Sequence, residues 1–270
     1  ALRFPAGGAR TWGLNFGRGR RRNLQLAFWA GPLDAELRVS QAGELRGLSL
    51  RQPPSRHMGI LYGLTRIQDG AEPFQDAGLD FRYAITSGVN LSGTLNPDFA
   101  TIEADQEQVN LSRFELNLRE KRPFFLEGGE LFQQRIRTFY SRRISDIRGG
   151  AKVMGKHGPW TFALLGADAE EMNGRPEATF GVARVQRDIG RSALGMTWAD
   201  RRVDGIGDGS ASLDATLFFS PTLGFTGQLV RSYGPEENGV WAFFLRPSYD
   251  SPTGHFHVRY THLGESFADN

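Results

Sequence analysis

Hydrophobic and polar residues alternate one by one along much of this chain, in short stretches that end at turns containing glycine or proline. The clearest example spans 79–96, where apolar residues or glycine hold the odd-numbered positions on both sides of a Ser87-Gly88 turn. Polar, charged or small residues hold the even-numbered positions. Successive side chains of a β-strand point to opposite faces of its sheet, so this alternation is typical of strands. The pattern predicts antiparallel strands joined by tight turns in an up-and-down meander.

The same kind of alternation recurs along the rest of the chain. It predicts further strands at 11–18, 24–30, 35–41, 44–52, 57–67, 149–156, 160–168, 178–188, 193–202, 210–220, 222–229, 239–249 and 254–262. The glycine-rich stretch 205–209 is predicted to be a turn, because a phosphate-binding loop would have to open a helix. A helical period is visible only at 127–137.

An alternation of this kind has two physical explanations. In a soluble sandwich the apolar face packs into a core, and the polar face meets water. In a membrane barrel the apolar face meets lipid, and the polar face lines a wet lumen. Strands of roughly nine to eleven residues can cross a bilayer when they are tilted, and several predicted strands reach that length. Strand length therefore favours the barrel without excluding the sandwich.

Aromatic residues near the strand ends have the same two explanations. In a membrane barrel they would form girdles at the two lipid–water interfaces. In a soluble protein they would be ordinary strand aromatics that pack a core. The candidate girdle residues are Trp12, Trp29, Trp160, Trp198, Trp241, Tyr233, Tyr249 and Tyr260.

Composition narrows the classes of function. The 270 residues carry a net charge of +2 without a strongly basic field, so no nucleic-acid partner is expected. The chain has no cysteine, which excludes disulfides and thiolate metal sites. It contains no run of about 18 apolar residues, so no transmembrane helix is predicted. A mean hydropathy of −0.40 is compatible with a membrane barrel, because only one face of each strand meets lipid.

One stretch, 96–143, breaks the alternation: NPDFATIEADQEQVNLSRFELNLREKRPFFLEGGELFQQRIRTFYSRR. It is dense in charge and contains a compact apolar cluster, Phe124-Phe125-Leu126. A long segment of this kind between strands usually has a functional or structural role of its own. We therefore predict that 97–147 forms an inserted charged loop or plug. The candidate plug or constriction residues are Arg113, Glu115, Glu120, Lys121, Arg122, Phe124, Phe125 and Glu127.

If this stretch forms a plug, its apolar residues must be buried and its charged residues must be paired. The apolar cluster would bury against apolar neighbours. Glu120, Arg122 and Glu127 would pair with charges on the lumen wall, because a charge inside a barrel must be paired or wet. The competing interpretation is a surface loop that contacts a partner.

Carboxylates at the start of this stretch offer the only enzymatic hypothesis. Asp98, Glu103 and Asp105 are close in sequence, and paired carboxylates perform glycoside hydrolysis when their separation is right. They could also bind Ca²⁺, although the glycine-bearing loop of an EF-hand is missing. The many nearby arginines favour ion-pair networks instead. His255 and His257 share one strand face, but without a third ligand we predict no metal site, and we predict no cofactor.

NPDFATIEADQEQVNLSRFELNLREKRPFFLEG, followed by FYSRRI, resembles the signature of a family of bacterial outer-membrane β-barrel proteins of unknown function, the DUF5916-like family. The opening motifs LRFP and TWGLNFGR, within 2–18, look like the start of the same barrel region. The resemblance implies a barrel in the outer membrane of the bacterial envelope. In that family the barrel usually follows a family 9 carbohydrate-binding-like domain. The resemblance therefore also implies a glycan ligand, or such an N-terminal domain, as a partner.

The fold prediction is all-β: an antiparallel, up-and-down, outer-membrane-type β-barrel over 1–270, with a long inserted loop or plug. The chain is expected to be a partial domain, because no carbohydrate-binding module precedes Ala1. Closure is expected to need strands beyond Asn270, because 267–270 do not end in the terminal aromatic residue of a completed bacterial barrel.

The functional prediction is an outer-membrane barrel of unknown substrate, in contact with outer-membrane lipid and with a role in glycan-related binding or uptake. Two alternatives remain open from the sequence. One is a carbohydrate-active hydrolase that uses Asp98, Glu103 and Asp105. The other is a soluble β-sandwich or propeller module that binds a ligand or a partner.

Overall fold

Antiparallel strands make up most of the regular structure. The computed structural model describes residues 10–20, 25–30, 42–48, 56–66, 74–97, 118–144, 146–171, 176–235, 240–251, 253–265 and 267. The strands are β1 Arg10–Leu14, β2 Gly17–Arg20, β3 Gln25–Phe28, β4 Gly43–Leu48, β5 His57–Arg66, β6 Phe74–Ala84, β7 Val89–Leu95, β8 Ile147–His157, β9 Trp160–Ala169, β10 Ala178–Ile189, β11 Ser192–Val203, β12 Ile206–Phe218, β13 Leu223–Tyr233, β14 Trp241–Ser251, β15 Gly254–His257 and β16 Tyr260–Leu263. Among the described residues, no helix has both the length and the apolar character that a membrane crossing requires.

Strands β5 to β16 form one 12-stranded antiparallel sheet, in which strands adjacent in the chain are also paired from β5 to β15. Strand β14 pairs along one edge with both β15 and β16. Strands β1 and β4 form a two-stranded sheet, and β2 and β3 form another. The prediction of an all-β, antiparallel, up-and-down architecture is confirmed. In the described part of the chain no pairing joins β5 to β15 or β16, so the sheet keeps two edges there.

The predicted strand at 11–18 is divided in two, β1 and β2. The side chain of Asn15 causes the break, because its amide donates to the carbonyl oxygen of Ala30 at 2.8 Å and its oxygen accepts the Ala30 N–H at 2.9 Å. These bonds offer the backbone a local alternative to the strand ladder. The strand predicted at 35–41 lies outside the described residues.

The helical period at 127–137 corresponds to no α-helix in the structure. Helix α1 covers only Pro123–Leu126. It is followed by single 3₁₀ turns at Gly129–Phe132 and Ser141–Arg143. Gly128 ends α1 with a φ of 71°, a left-handed conformation that glycine adopts without steric cost.

The two ends of the 12-stranded sheet differ in their connections. At the short-turn end, strands are joined by 85–88, 158–159, 190–191, 219–222 and 252–253. At the long-loop end, they are joined by 67–73, 96–146, 170–177, 204–205 and 234–240. The turn predicted at 205–209 is confined to 204–205, because β12 already begins at Ile206.

The two faces of the sheet have opposite character. On β11, Leu194 and Met196 are exposed on one face. Thr197 and Ala199 are buried on the other. Strand pairing keeps this alternation in register from β8 to β14, so each face is continuous. We call the face that carries Leu194 the outward face and the face that carries Thr197 the inward face.

The buried core lies on the inward face, beneath residues 118–144, which we call the inner segment. One apolar cluster joins the segment to β8–β11, and its largest members are Phe124, Phe125, Phe132, Ile144, Ile147, Met154, Leu165 and Phe180. A second cluster joins Ile136 to Val230 and Phe244 on β13 and β14. The chain therefore buries apolar surface between the segment and the sheet, and the outward face contributes little to this core.

Candidate functional site

Strands β12 and β13 hold the inner segment through polar side chains. Gln134 Nε2 donates to Ser212 Oγ at 3.0 Å and to Asp214 Oδ1 at 2.9 Å. The backbone N–H of Ile136 donates to Gln228 Oε1 at 2.7 Å, and Gln228 Nε2 donates back to the Ile136 carbonyl at 2.8 Å. A buried amide that bonds both backbone groups of one residue acts as a strand neighbour would. It fixes the position of the segment on the sheet.

Lys152 holds helix α1 on strand β8. Its ammonium group donates to the carbonyl oxygens of Phe124 and Glu127, the second at 2.6 Å. Carbonyl groups at the end of a helix carry partial negative charge, so a cation there is favourable. Gly150, the next inward position of β8, leaves room for the Phe124 ring, because a Cβ there would lie 2.9 Å from Phe124 Cζ. Strand β8 thus provides both the charge and the space that α1 needs.

Arg122 joins the two halves of the inner segment. Its guanidinium group donates to the two carboxylate oxygens of Glu120 at 3.0 and 2.8 Å. It also donates to the carbonyl oxygens of Ser141 at 2.6 Å and Ile144 at 2.8 Å. The ring centre of Phe125 lies 4.3 Å from the guanidinium carbon. Arg122 is only 7% exposed, so these partners must replace the water that its charge would otherwise bind.

The environment of Arg122 stabilises the charged form of the Glu120 carboxyl group. Burial raises its pKa, but the hydrogen bonds and positive charge of Arg122 outweigh that effect and leave the pKa lowered. Ser141 Oγ adds a hydrogen bond at 2.7 Å, and the backbone N–H of Lys121 adds another at 2.9 Å. Glu120 is therefore ionised at neutral pH, and its charge balances that of Arg122.

The surroundings of α1 differ in two respects from the plug prediction. Its two phenylalanines are buried, but Leu126 is 55% exposed. Glu127 pairs with a charge on the sheet, Arg82 of β6, at 2.7 Å. The prediction that Glu120 and Arg122 pair with the wall is wrong, because these two residues pair with each other.

The described residues contain only part of the predicted site. Lys121 is half-buried beside the Glu120–Arg122 pair. Several predicted residues lie outside the described part of the chain: the candidate catalytic carboxylates Asp98, Glu103 and Asp105, and the candidate plug residues Arg113 and Glu115. Among the residues that the structure describes, no three histidine, aspartate or glutamate side chains are grouped as metal ligands would be.

A polar cavity of about 570 Å³, the inner cavity, lies between the inner segment and the inward face. The segment contributes Glu130 and Gln133 to its lining. The strands contribute Arg184, Asp214, Thr216, Thr226, Arg246, Ser248 and Asp250. Pro221 and Thr222 of the turn 219–222 also line it, which places the cavity towards the short-turn end.

Two arginines of the inner cavity differ in their partners. Arg184 donates to both carboxylate oxygens of Asp214, at 2.6 and 3.0 Å, and to Thr197 Oγ1 at 2.7 Å. Gly195 faces Asp214 across the strand pair, and the missing side chain leaves room for that carboxylate. The Nε atom of Arg246 is shielded from solvent and has no hydrogen-bond partner among the described residues.

Sequence reasoning missed the wall residues that bind the segment or line the cavity. They are Lys152, Arg184, Asp214, Gln228 and Arg246. All of them occupy inward positions of strands that the sequence did predict. The sequence signal that could have identified them was a long or charged side chain at an inward strand position, where serine, threonine or alanine would also fit the alternation.

The match to known families falls on the part of the chain that contains the segment. Residues 63–157 match a domain of unknown function, DUF5916. The matched range begins within β5 and ends with β8, so it includes β6, β7 and the whole inner segment. This match supports the DUF5916-like resemblance. Searches of the curated proteins and of the solved structures found no significant match.

Proposed function

We propose that this chain forms a β-barrel of the bacterial outer membrane, with its outward face in lipid and the inner segment inside the lumen. The exposed apolar outward face is the observation that carries this proposal. Large apolar side chains are exposed there, whereas the inward face buries the apolar residues that hold the inner segment together with polar ones such as Lys152, Thr197 and Gln228. A soluble β protein instead turns its polar face to water.

The outward face carries a continuous apolar band across β9 to β14. Leu164, Met196 and Leu213 are 50%, 50% and 58% exposed, far more than isolated surface leucines require. Other outward members of the band are Phe162, Val185, Leu194, Leu217, Phe225, Leu229, Phe243 and Leu245. In water such a surface would favour association between molecules, whereas in a bilayer it would contact the lipid acyl chains.

Arginine and tryptophan mark both borders of the band. At the short-turn end the guanidinium carbon of Arg187 lies 5.3 Å from the ring centre of Trp160. At the long-loop end Arg231 lies at the same distance from Trp241. Lipid headgroups favour both residue types, and barrels carry aromatic girdles at these levels. The three tryptophans Trp160, Trp198 and Trp241 are exposed, as girdle residues must be.

The inward face has the properties of a lumen filled by a plug. Several of its charges are paired, in Arg82–Glu127 and Arg184–Asp214, and Lys152 is bound to backbone carbonyls. The strand lengths also agree with a membrane barrel. Strands β9, β10 and β13 have 10, 12 and 11 residues, and a tilted strand needs about 9–11 to cross a bilayer. Closure would require β5 to pair with a strand that completes the circle.

The asymmetry of the connections orients the proposed barrel. Bacterial barrels place short turns in the periplasm and long loops at the cell surface. On that rule the inner segment enters the lumen from the cell surface. A membrane-impermeant maleimide added to whole cells should then label Glu171→Cys and spare Arg191→Cys. The reverse labelling would contradict this orientation.

The substrate is proposed from the family resemblance alone, as a glycan-related ligand. The soluble-module alternative has to explain why the apolar face is exposed. The hydrolase alternative rests on Asp98, Glu103 and Asp105, which lie outside the described residues.

Gel migration tests the proposed barrel. The protein is refolded in detergent and run with and without boiling, beside a circular-dichroism spectrum. We expect a β spectrum that depends on detergent and an unboiled band that migrates faster than the boiled one. A β protein that is soluble and stable without detergent would contradict the proposal.

A further inference from the structure

On strands β9 to β14, both carboxylates of the outward face are paired with arginine. The outward positions of these strands hold Asp168 and Asp200 and no other acidic residue. Arg148 donates to Asp168 at 2.7 Å, and Arg202 donates to Asp200 at the same distance. Tyr233 adds a hydrogen bond to Asp200 at 2.8 Å. Both negative charges of this face are therefore already neutralised.

Two arginines of the same face have no carboxylate. Arg187 of β10 and Arg231 of β13 are exposed, and neither forms an ion pair within the described residues. Each guanidinium carbon lies 5.3 Å from a tryptophan ring centre, that of Trp160 or Trp241. A tryptophan ring attracts a guanidinium group but accepts none of its conventional N–H hydrogen bonds. Both borders of the apolar band therefore carry a positive charge whose donors are open to a ligand.

An apolar groove of about 530 Å³ lies on the outward face between the two arginines. Leu194, which lines it, is paired directly with Arg187 across β10 and β11. Leu229, which also lines it, is the outward residue next to Arg231 on β13. Small outward residues, an alanine on β12 and a glycine on β13, face each other between them and form the floor of the groove. One recessed apolar surface thus reaches towards both charges.

We propose that the outward face binds two lipids with anionic headgroups, one at each border of the band. Arg187 holds the phosphate of one lipid and Arg231 holds the phosphate of the other, because a guanidinium group donates well to phosphate oxygens. The acyl chains of both lipids enter the groove. The inference rests on the proposed function, since a lipid reaches this face only in a membrane or a micelle. It goes further by naming the class of lipid, one with a net negative charge.

Native mass spectrometry of the detergent-refolded, 270-residue chain counts the bound lipids. The probes are dimyristoylphosphatidylglycerol, which is anionic, and dimyristoylphosphatidylcholine, which has the same acyl chains and phosphate but no net charge. We expect two retained phosphatidylglycerol molecules per chain. Phosphatidylcholine should bind roughly fivefold more weakly, since the attraction of one arginine to an anionic lipid surface amounts to about that factor. Glycerol phosphate, which has the charge without the chains, should not be retained.

Arginine variants assign the two sites. Arg187→Gln and Arg231→Gln should each leave one retained phosphatidylglycerol molecule, and the double variant should leave none. Arg119→Gln is the matched control, because it removes an exposed positive charge from the inner segment and not from the outward face. This control should retain two phosphatidylglycerol molecules.

The outcomes separate this inference from the barrel on which it rests. A chain that folds in buffer without detergent would contradict the barrel and both lipid sites together. A chain that needs detergent to fold would keep the barrel and overturn the lipid sites under any of three results. These are equal retention of the two phospholipids, retention of glycerol phosphate, and a double variant that binds as much phosphatidylglycerol as the Arg119→Gln control.

Discussion

Arg122 shows how one residue organises the inner segment. Its five donors face a carboxylate at position 120 and two carbonyl oxygens from the other half of the segment. Because Arg122 is buried, removal of its side chain would leave the Glu120 carboxylate buried without its cation. The loss of stability is therefore larger than the loss caused by breaking an ion pair on the surface.

Arg122→Ala is predicted to lower the free energy of unfolding by about 3–5 kcal/mol, the usual cost of breaking a buried ion pair. Chemical denaturation in the medium that supports folding measures it. Arg119→Ala is the matched control, because Arg119 is an exposed arginine of the same segment. Equal stability of the two variants would show that the Glu120–Arg122 contact does not hold the segment.

The lowered pKa of Glu120 predicts a dependence of stability on pH. A carboxyl whose pKa is lower in the folded state than its ordinary value of 4.5 stabilises the fold fully above pH 4.5. That contribution is lost as the pH falls through the folded pKa, where Glu120 takes up a proton. Denaturation midpoints measured between about pH 6 and pH 3 should therefore fall more steeply for the native chain than for Glu120→Gln. Parallel curves would contradict this role.

At the scale of the element, α1 and β8 are matched to each other. The Phe124 ring occupies the space in front of Gly150, and the sulfur of Met154 occupies the space in front of Gly128. Close approach of this kind leaves no room for a methyl group.

Gly150→Ala is predicted to destabilise the inner segment by about 1–3 kcal/mol, because Phe124 must move. Limited trypsin digestion should then cut the segment, which is rich in arginine, faster than in the native chain. Gly59→Ala is the control, since a Cβ at this strand glycine would meet nothing within 4 Å. Phe124→Leu in the Gly150→Ala background should restore part of the resistance, and failure of this rescue would point to another cause.

The strands were predictable from the sequence, and the inner segment was not. The alternation at 79–96 identifies strands β6 and β7, because two paired strands can be recognised from a period of two on each side of a turn. The segment has no such period: its path depends on Gln228, Lys152 and Arg82, which are distant in the chain. The burial of two phenylalanines followed from their hydrophobicity, whereas the Glu120–Arg122 pair depends on the irregular backbone of 118–122, which no spacing rule predicts.

At the scale of the whole molecule, the outward face decides between a lipid and a water environment. Leu213 and Leu126 are similarly exposed, at 58% and 55%, but only Leu213 lies on the outward face of the sheet. In water the two positions would tolerate a charged side chain equally well. In a bilayer, position 213 would tolerate a charged side chain less well than position 126.

Leu213→Arg is therefore predicted to lower the stability of the membrane-folded chain by about 2–4 kcal/mol, the cost of arginine near the middle of a bilayer. Leu126→Arg should change it by less than about 0.5 kcal/mol, as surface substitutions do. Urea titration of the chain in lipid vesicles measures both. Equal tolerance of the two substitutions would argue for a soluble fold.

The most direct test of the central claim places single fluorophores on opposite faces of strand β12. The chain has no cysteine, so Leu213→Cys and Thr216→Cys each provide a unique labelling site. Leu213 is outward, and Thr216 is inward and lines the cavity. In lipid vesicles we predict that the label at 213 is quenched by nitroxides on the acyl chains, and the label at 216 by aqueous iodide. Quenching of both labels by iodide alone would contradict a lipid-facing outward surface.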